Sequence, residues 1–411
     1  NEYDYHGRIT KKWIGNKYTS HKTTYVYDNN NKKGTLSADT TYAFSSSGNY
    51  CSSTTYAYDN YLRLTGKVYQ LNNQNLSYKY TYDTYGQLDS VVYPFDFTIR
   101  HSYYLGKLST ISWYESGVLT SLYHVNSYFL GTPEITTSLA LTNTLEYNNI
   151  NQLISKHTTI GSDTLQKFEY TYDNKGRFKS RSVRRVPYVY RPTCEDFTYD
   201  NMDRLNTVVT KTYPDQSTQT STATLSMSYD DNKISSHSNI GMYQYDQSHS
   251  LTNVVLNDAS SISQQPCNIT YTPFNKVETI TEGLNSYTIE YYPNQQKAAT
   301  TLTHNNTVIE HKYYAGKAFE WETVNDKKYY YVYAEGQPIA VFMQDGDDTP
   351  VPYLILTDHL GSVDLITDRY GNVVDSMSFD AWGNRRNYQN WQQKDNSVHL
   401  IDRGFTMHQH L

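Results

Sequence analysis

Side chains that could perform acid–base chemistry lie close together near the C-terminus. Asp358 is followed directly by His359, and Asp364 and Asp368 come soon after them. Carboxylates beside a histidine can shift each other's pKa and act as acid and base in hydrolysis. Each of these aspartates also stands where a turn would begin, and we prefer this structural interpretation because aspartates before turns recur along the whole chain. The sequence therefore predicts no catalytic residue.

Two further patterns could bind metal ions. His408 and His410 are two residues apart, which places both rings on one face of a strand, but no third ligand is near them in the sequence. The acidic loop DGDDTPVP, residues 345–352, lacks the spacing and the bidentate glutamate of a calcium loop. We interpret the histidines as a terminal strand and the loop as a polar hairpin connection. The sequence therefore predicts no metal and no cofactor.

Motifs of common catalytic centres are absent. The chain has no GxSxG, HExxH or P-loop, and no GxGxxG that opens a helix. Its three cysteines, Cys51, Cys194 and Cys267, are far apart and form no CxxC pair. Their spacing supports neither a zinc site nor a dense disulfide framework. A non-enzymatic role is therefore favoured.

The elements that carry these residues follow from a repeat whose clearest copy is YTYDNKGRF, residues 170–178. Its tyrosines are two residues apart, which places both rings on one face of a strand. Asp173 can bond the backbone two residues on, and Gly176 suits the left-handed corner that follows a type I turn. Arg177 comes just after the turn, where it could lie over a neighbouring ring. Each copy therefore predicts a β-hairpin.

Copies of this pattern recur from the first residues onward, most of them about 15–30 residues apart, as in arrays of stacked supersecondary units. The positions assigned to the repeat are Tyr3, Tyr27, Asp28, Tyr58, Asp59, Tyr82, Asp83, Gly86, Tyr172, Asp173, Gly176, Arg177, Tyr199, Asp200, Arg204, Tyr229, Asp230, Tyr245 and Asp246. Between residues 99 and 145 the pattern lapses, so either the repeats have drifted or an insertion is present. The Ser/Thr-rich stretch at residues 213–224 predicts a long exposed hairpin tip.

Composition agrees with thin sheets. Tyrosine supplies 44 of the 411 residues, whereas only 37% of the chain is hydrophobic. Because tyrosine can bury its ring and keep its hydroxyl wet, we expect tyrosine ladders between hairpins in place of a conventional core. The stretch KKYYYVYAEGQPIAVF predicts two strands around Glu335 and Gly336, with Tyr329, Tyr331 and Tyr333 on one face and Tyr330 on the other.

Charge and hydropathy exclude some partners. The net charge of −6 gives no general attraction to nucleic acid or to anionic membranes. No apolar run approaches the length of a membrane span. The basic run at residues 179–185 is interpreted as a solvated edge strand, because such strands carry Lys and Arg against aggregation.

The most distinctive stretch is YLILTDHLGSVDLITDRYGNVVDSMSFDAWGNR, residues 353–385. It resembles the Rhs repeat-associated core segment, and the hairpins before it are similar to the YD repeats that precede that segment. RGFTMHQH, residues 403–410, is similar to the family's RGFTGHEH phrase, with Met407 where glycine is common. The resemblance divides the chain into a repeat shell, residues 1–352, and a core segment, residues 353–411. The core-motif positions, assigned to closing the shell, are Asp358, His359, Leu360, Gly361, Ser362, Asp368, Gly371 and Gly383.

The resemblance also implies a fold and a function. The fold is all-β, with YD-repeat hairpins that spiral into a hollow shell, a partial or complete cocoon. Related proteins are the C components of toxin complexes, bacterial Rhs effectors and teneurins. We therefore expect a bacterial protein, secreted or at the cell surface, that sequesters and delivers a C-terminal toxin lying outside this chain. A secretion-system or shell-closing partner is implied as well, whereas self-cleavage of the family type would need residues beyond Leu411.

Two alternatives stay open from the sequence. The first is a cell-surface or wall-associated module that binds carbohydrate through exposed tyrosine and tryptophan faces, with a glycan as partner. Its tryptophans would be Trp13, Trp113, Trp321, Trp382 and Trp391. The second is an enzyme that uses the aspartates around Asp358.

Overall fold

The computed structural model describes residues 1–14, 21–29, 32–45, 48–186, 193–212, 221–247, 249, 251–256, 267–391, 393–395 and 397–409. These residues form strands joined by turns, with short 3-10 turns and no α-helix. The all-β prediction is confirmed. Within the described ranges, no helix has the length and apolar character needed to cross a membrane.

The first twenty-two strands form one antiparallel sheet, in which each strand pairs with its neighbours in sequence. They are β1 (Glu2–Tyr3), β2 (Ile9–Ile14), β3 (His21–Tyr27), β4 (Leu36–Ser45), β5 (Gly48–Tyr58), β6 (Leu64–Leu71), β7 (Gln74–Tyr82), β8 (Leu88–Val92), β9 (Thr98–Tyr104), β10 (Lys107–Glu115), β11 (Val118–Phe129), β12 (Thr132–Ser138), β13 (Leu141–Tyr147), β14 (Leu153–Ile160), β15 (Asp163–Tyr172), β16 (Phe178–Arg185), β17 (Thr193–Tyr199), β18 (Leu205–Thr212), β19 (Ser221–Asp230), β20 (Lys233–His237), β21 (Gly241–Tyr245) and β22 (Leu251–Leu256).

The next eleven strands form a second antiparallel sheet with the same neighbour-to-neighbour pairing. They are β23 (Cys267–Tyr271), β24 (Val277–Glu282), β25 (Asn285–Tyr291), β26 (Lys297–His304), β27 (Thr307–Ala315), β28 (Phe319–Glu322), β29 (Lys327–Ala334), β30 (Gln337–Asp345), β31 (Val351–Thr357), β32 (Val363–Thr367) and β33 (Val373–Ser376). A small pair, β34 (Ser378–Phe379) and β35 (Arg385–Arg386), follows. No described pairing joins the first strand of either sheet to its last, so both sheets are open.

A β-bulge recurs at the same place in the repeat. The register shifts directly before the tyrosine that precedes the turn, for example between Thr171 and Tyr172 and between Thr198 and Tyr199. The same shift occurs before Tyr27, Tyr58, Tyr82, Tyr147, Tyr229, Tyr245, Tyr271, Tyr291 and Tyr333. Because an extra residue on one strand bends it and increases its twist, we expect the repeated bulges to curve the sheet.

The chain also builds conventional cores where it folds back on itself, which differs from the expectation of tyrosine ladders alone. Trp113 of β10 lies against Phe342 of β30, with ring centroids 5.5 Å apart, and Phe97 lies 4.7 Å from the same ring. Phe342 is fully buried, and burial of one such side chain contributes about 1.5–3 kcal/mol. The first and second sheets are therefore held together largely by apolar packing.

Strand β29 lies between two cores. Tyr330 belongs to the core shared with the first sheet, whereas Tyr331 packs with Tyr329 and Tyr333 into a second core on the other face. The predicted division of these tyrosines between two faces is confirmed. The predicted turn is also present, because Glu335 and Gly336 both have positive φ and connect β29 to β30.

Other expectations from the sequence differ from the structure or fall outside it. Residues 99–145 contain no insertion; they form β9–β13 in unbroken pairing. The basic run at residues 179–185 does not form an edge strand, because it lies in β16, which is paired on both sides. Of the predicted loop, residues 213–220 lie outside the described residues, and residues 221–224 belong to β19.

Candidate functional site

The repeat turn is closed by one carboxylate. Asp173 Oδ1 accepts hydrogen bonds from the backbone N–H of Lys175 at 2.9 Å and of Arg177 at 3.0 Å. The other oxygen, Oδ2, accepts from Arg177 Nε at 2.7 Å. Gly176 completes the turn with a φ of 81° and donates its N–H to the Asp173 carbonyl. Against the opposing effect of desolvation, the hydrogen bonds from Arg177 lower the pKa of Asp173.

The same arrangement is present in other copies. Matching aspartate–arginine turns occur at Asp4 and Arg8, Asp59 and Arg63, and Asp200 and Arg204. Asp83 binds the same two backbone positions, with Gln87 in place of the arginine. Asp28 closes a longer turn by accepting from the Gly34 N–H at 2.6 Å.

Two assigned aspartates behave differently. Asp230 pairs with Lys233 at the end of β19, and Asp231, with a φ of 49°, makes the turn. At Asp246, the turn is marked by the backbone carbonyl, which accepts from the His249 N–H at 3.1 Å. Tyr3 lies exposed on β1.

Each repeat is joined to the preceding hairpin through its tyrosine hydroxyl. Tyr199 donates to the Phe178 carbonyl at 2.8 Å, and the Arg177 guanidinium lies 4.3 Å from the centre of the Tyr199 ring. The equivalent hydroxyl bonds join Tyr27 to Ile9, Tyr58 to Leu36, Tyr82 to Leu64, Tyr172 to Leu153, Tyr229 to Leu205 and Tyr245 to Ile234. Tyr128 makes the same bond to Leu108, which shows that the repeats between residues 99 and 145 have drifted in sequence and kept the geometry.

The core-motif residues form three successive turns of the same kind. Asp358 Oδ1 accepts from the N–H groups of Leu360 and Ser362, both at 2.9 Å. Asp368 and Asp380 close equivalent turns. The glycines of these turns, Gly361, Gly371 and Gly383, all have positive φ. Residues 353–409, hereafter the C-terminal segment, therefore begin as a continuation of the repeat.

What distinguishes this segment is a group of buried ion pairs that joins it to the first sheet. Arg181 of β16 donates from Nε to Glu195 at 2.5 Å, and its Nη1 lies 3.4 Å from Asp358 Oδ2. Arg386 pairs with the same Glu195 at 2.6 Å. Arg185 pairs with Asp364. The basic run that the sequence assigned to a solvated edge thus holds the C-terminal segment, and Arg181 and both carboxylate partners are buried.

Electrostatics at this site follow from burial and pairing. Although burial alone would raise it, the two arginines lower the pKa of Glu195 to about 2. Burial raises the pKa of Asp364, with Arg185 opposing the shift. Burial lowers the pKa of His359 to about 4, and its ring lies 4.8 Å from Tyr170 and 4.3 Å from Phe178. His359 is therefore a neutral packing residue at pH 7.

The prediction that every aspartate of this region begins a turn is wrong for Asp364. It lies within β32 and is buried, and its partner is the Arg185 guanidinium. The remaining core-motif residue, Leu360, is exposed at the tip of the Asp358 turn.

The contacts of the C-terminal segment span much of the first sheet. Arg369 pairs with Glu115 of β10, and the Trp382 ring lies 5.1 Å from His237 of β20. Between these ends, Gly371 leaves no room for a side chain, because a Cβ would stand 2.6 Å from Ile160 Cδ1. The C-terminal segment therefore crosses the first sheet from β10 to β20. We call this crossing part of the segment the brace.

A second anchor ties the end of the segment to the second sheet. Arg403 donates from Nε to the buried Glu320 at 2.7 Å, and its guanidinium lies 4.0 Å from the centre of the Tyr331 ring. Lys312 pairs with Asp402 nearby. Among the described residues, His408 belongs to no group of three potential metal ligands, and His410 lies outside those residues.

The tryptophans that the sequence offered for sugar binding are not exposed. Trp113 and Trp391 are buried, and Trp391 lies under the Arg386 guanidinium at 3.6 Å. Trp321 is half-buried and donates to Asp326 at 2.7 Å. Trp13 and Trp382 are half-buried as well. Most exposed aromatic side chains are instead tyrosines, some of them at turn tips, such as Tyr61 and Tyr85.

Glu195, Glu320 and Arg386 were not singled out from the sequence. Arg181, Arg185 and Arg403 appeared there only within the basic run and the RGFTMHQH phrase, with no contact predicted for them. Arg181, Val183 and Arg185 alternate along β16, which places the two guanidiniums on one face beside an apolar side chain. This pattern could have indicated that another part of the chain packs on this face of β16. Which segment covers this face could not be predicted, because that segment is far away in the sequence.

Comparison with solved structures shows a shared fold. The fold of this chain is similar to that of TcdB2-TccC3 and of a Tc holotoxin pore. Against the structure of TcdB2-TccC3 the TM-score is 0.70 with 13% sequence identity, and the match covers 99% of this chain and 25% of that one.

Two further structures show the same likeness. TcdB2-TccC3 without its hypervariable C-terminal region gives a TM-score of 0.62 at 12% identity, covering 97% of this chain and 24% of that one. The Tc holotoxin pore of Photorhabdus luminescens gives 0.63 at 11% identity, with 89% and 23% covered. The chain thus spans about a quarter of the length of these structures. No model of a known protein family matches the sequence, and no curated protein matches it.

Proposed function

We propose that the chain is a stretch of the wall of a secreted bacterial shell that encloses a toxin, and that it acts without catalysis. The observation that carries this proposal is the brace: the C-terminal segment crosses one face of the first sheet from β10 to β20 and fixes it through buried ion pairs. A curved, braced sheet is suited to keeping a defined space on the side where the brace lies.

Two other observations support the proposal. The fold is shared with TcdB2-TccC3, a protein that carries a hypervariable C-terminal region. The aspartates and the histidine near residue 358 are engaged in turns, ion pairs and ring packing, which supports a structural role for them. The partners of this function are a polypeptide toxin that follows the chain and a protein that closes or exports the shell.

The alternative of a carbohydrate-binding module is less well supported. Stacking on sugar rings needs aromatic faces that reach solvent. The tryptophans are buried or half-buried, and the exposed aromatic side chains of the described residues are tyrosines and Phe95.

Protection from proteolysis tests the proposed function. An unstructured reporter peptide is fused after Leu411 in one protein and before Asn1 in a second protein, and cleavage of each reporter by a non-specific protease is timed. We expect cleavage of the C-terminal reporter to be at least tenfold slower, because the C-terminal segment leads it to the braced face. Equal cleavage rates for the two reporters would contradict the proposed protection of a C-terminal guest.

A further inference from the structure

A cavity of about 320 Å³ lies between the two sheets, beside the ion-paired brace. Strands β11–β14 of the first sheet line one side, and β29–β31 of the second sheet line the other. This volume falls within the range of small-molecule pockets, which is about 300–1,000 Å³. The proposed shell function does not use this cavity.

The lining of the cavity combines apolar and polar side chains, with Thr136, Ser138 and Asn143 among the polar ones. Leu141, Leu354 and Leu356 line it and are buried. Glu335 and Gln337 also line it and are exposed, so they mark the side that opens to solvent. A ligand with an apolar body would fit between these leucines.

One cationic side chain belongs to this lining. Lys156 of β14 lines the cavity, and its Nζ donates to Thr357 Oγ1 at 3.0 Å. Within the described part of the chain, no carboxylate lies within 4.0 Å of this ammonium. Lys156 is half-buried, and an ammonium withdrawn from water without a close counter-ion is costly.

The neighbouring carboxylates are already paired with arginine. Glu195 is paired with Arg181 and Arg386, and Asp364 is paired with Arg185. Asp358, the nearest of them in sequence to Thr357, is paired with Arg181. The amine of Lys156 therefore lacks the close ion pair that the arginines of this cluster have. Burial lowers its pKa to about 8, although Asp358 and Asp364 act in the opposite direction.

We propose that this cavity binds a small amphipathic carboxylate of the fatty-acid type, whose carboxylate pairs with Lys156 and whose hydrocarbon chain lies between Leu141 and Leu354. The ligand supplies the missing counter-ion and fills the apolar space. Because both sheets line the cavity, the ligand also stabilises the contact between them.

Titration calorimetry with decanoate tests this proposal on the full chain. We expect one saturable site in the wild-type protein and at least tenfold weaker binding in Lys156→Met. Lys79→Met is the matched control: it removes an exposed lysine from β7 of the same sheet and should bind decanoate like the wild type. Decanol has the same hydrocarbon chain without the charge. It should bind to the wild type at least tenfold more weakly than decanoate does. Its affinity for Lys156→Met should equal its affinity for the wild type.

A second variant tests the cavity itself. Leu145→Trp introduces a larger side chain into the lining and should abolish decanoate binding while the unfolding midpoint stays within a few degrees of the wild type. Absence of saturable binding in the wild type, unchanged binding in Lys156→Met, or equal binding of decanol and decanoate would each overturn the proposal.

The pH dependence gives an independent readout. Groups that face Lys156 are Asp358, His359 and Asp364 of the C-terminal segment, with Glu335 at the rim. Because the pKa of Lys156 is about 8 and that of His359 is about 4, Lys156 loses its charge between pH 7 and 9.5 while His359 stays neutral. Decanoate affinity should fall at least tenfold over this range. Constant affinity would contradict pairing with the ammonium.

Discussion

At the scale of single residues, the repeat works as a set of matched polar contacts. The tyrosine hydroxyl bonds a carbonyl of the preceding hairpin, and the arginine of that hairpin covers the tyrosine ring. The sequence predicted the turn aspartate, the glycine and a guanidinium over a ring. It did not predict the hydroxyl acceptor or the bulge, because both depend on the register between successive hairpins, which no single copy encodes.

Removal of one hydroxyl measures the worth of this contact. Tyr199→Phe keeps the ring under Arg177 and deletes the bond to the Phe178 carbonyl. We expect a loss of about 0.5–1.5 kcal/mol in the free energy of unfolding, measured by urea denaturation. Tyr85→Phe, at an exposed turn tip, is the control and should change nothing measurable. An equal effect of the two substitutions would show that the hydroxyl does not join the hairpins.

Glu195 makes stability depend on acid. Its pKa is lowered from an ordinary value near 4.5 to about 2, so the folded state binds this proton less readily than the unfolded state. The stabilisation is therefore complete above pH 4.5 and is lost as the pH falls towards 2. We expect the wild type to lose stability more steeply than Glu195→Gln across this interval, as followed by thermal unfolding. Parallel pH profiles would mean that Glu195 is not paired as described.

At the scale of elements, the strands follow from the sequence more readily than their neighbours in space. Alternation and turn residues predict a hairpin array, and β29 even shows which tyrosines face each core. The location of β16 under the C-terminal segment was missed, since the residues that cover Arg181 and Arg185 come far later in the chain, as the separation of 179 residues between Arg185 and Asp364 shows. A basic run alone cannot distinguish a solvated strand from a covered one.

The ion pair between Arg185 and Asp364 tests this docking. Arg185→Met leaves a buried carboxylate without its partner, and we expect it to cost about 3–5 kcal/mol of stability. The double variant Arg185→Met with Asp364→Leu should recover most of that loss, because both charges are then gone. Lys175→Met, which breaks an exposed pair with Asp203, is the control and should cost less than about 1 kcal/mol. If the double variant does not regain stability, Arg185 and Asp364 do not form a buried ion pair.

Gly371 tests the close approach of the segment to the first sheet. Gly371→Ala combines a positive φ with a Cβ only 2.6 Å from Ile160 Cδ1. Gly106→Ala has a similar φ, and no atom lies within 4 Å of its Cβ. We expect about 1 kcal/mol for the backbone strain at Gly106 and a clearly larger loss at Gly371, measured as unfolding midpoints. Equal losses would indicate that the turn at residue 371 does not touch β14.

At the scale of the whole molecule, the chain consists of two antiparallel sheets and a C-terminal segment that crosses the first of them. The sequence predicted the all-β strip, and its likeness to the core segment drew attention to residues 353–385. The sequence did not predict the apolar contact between the two sheets or the cavity that this contact encloses. Both depend on how far the first sheet bends before the second sheet packs against it. That curvature is the sum of many small bulges.

Small-angle X-ray scattering of a fusion tests the central claim most directly. A small folded domain joined after Leu411 is compared with the chain alone and with the same domain joined before Asn1. If the wall and its brace direct the C-terminal guest to the concave side, the radius of gyration of the first fusion stays at or below that of the chain alone, whereas the second fusion is larger. An equal increase in both fusions would place the guest outside the wall and contradict the proposed shell.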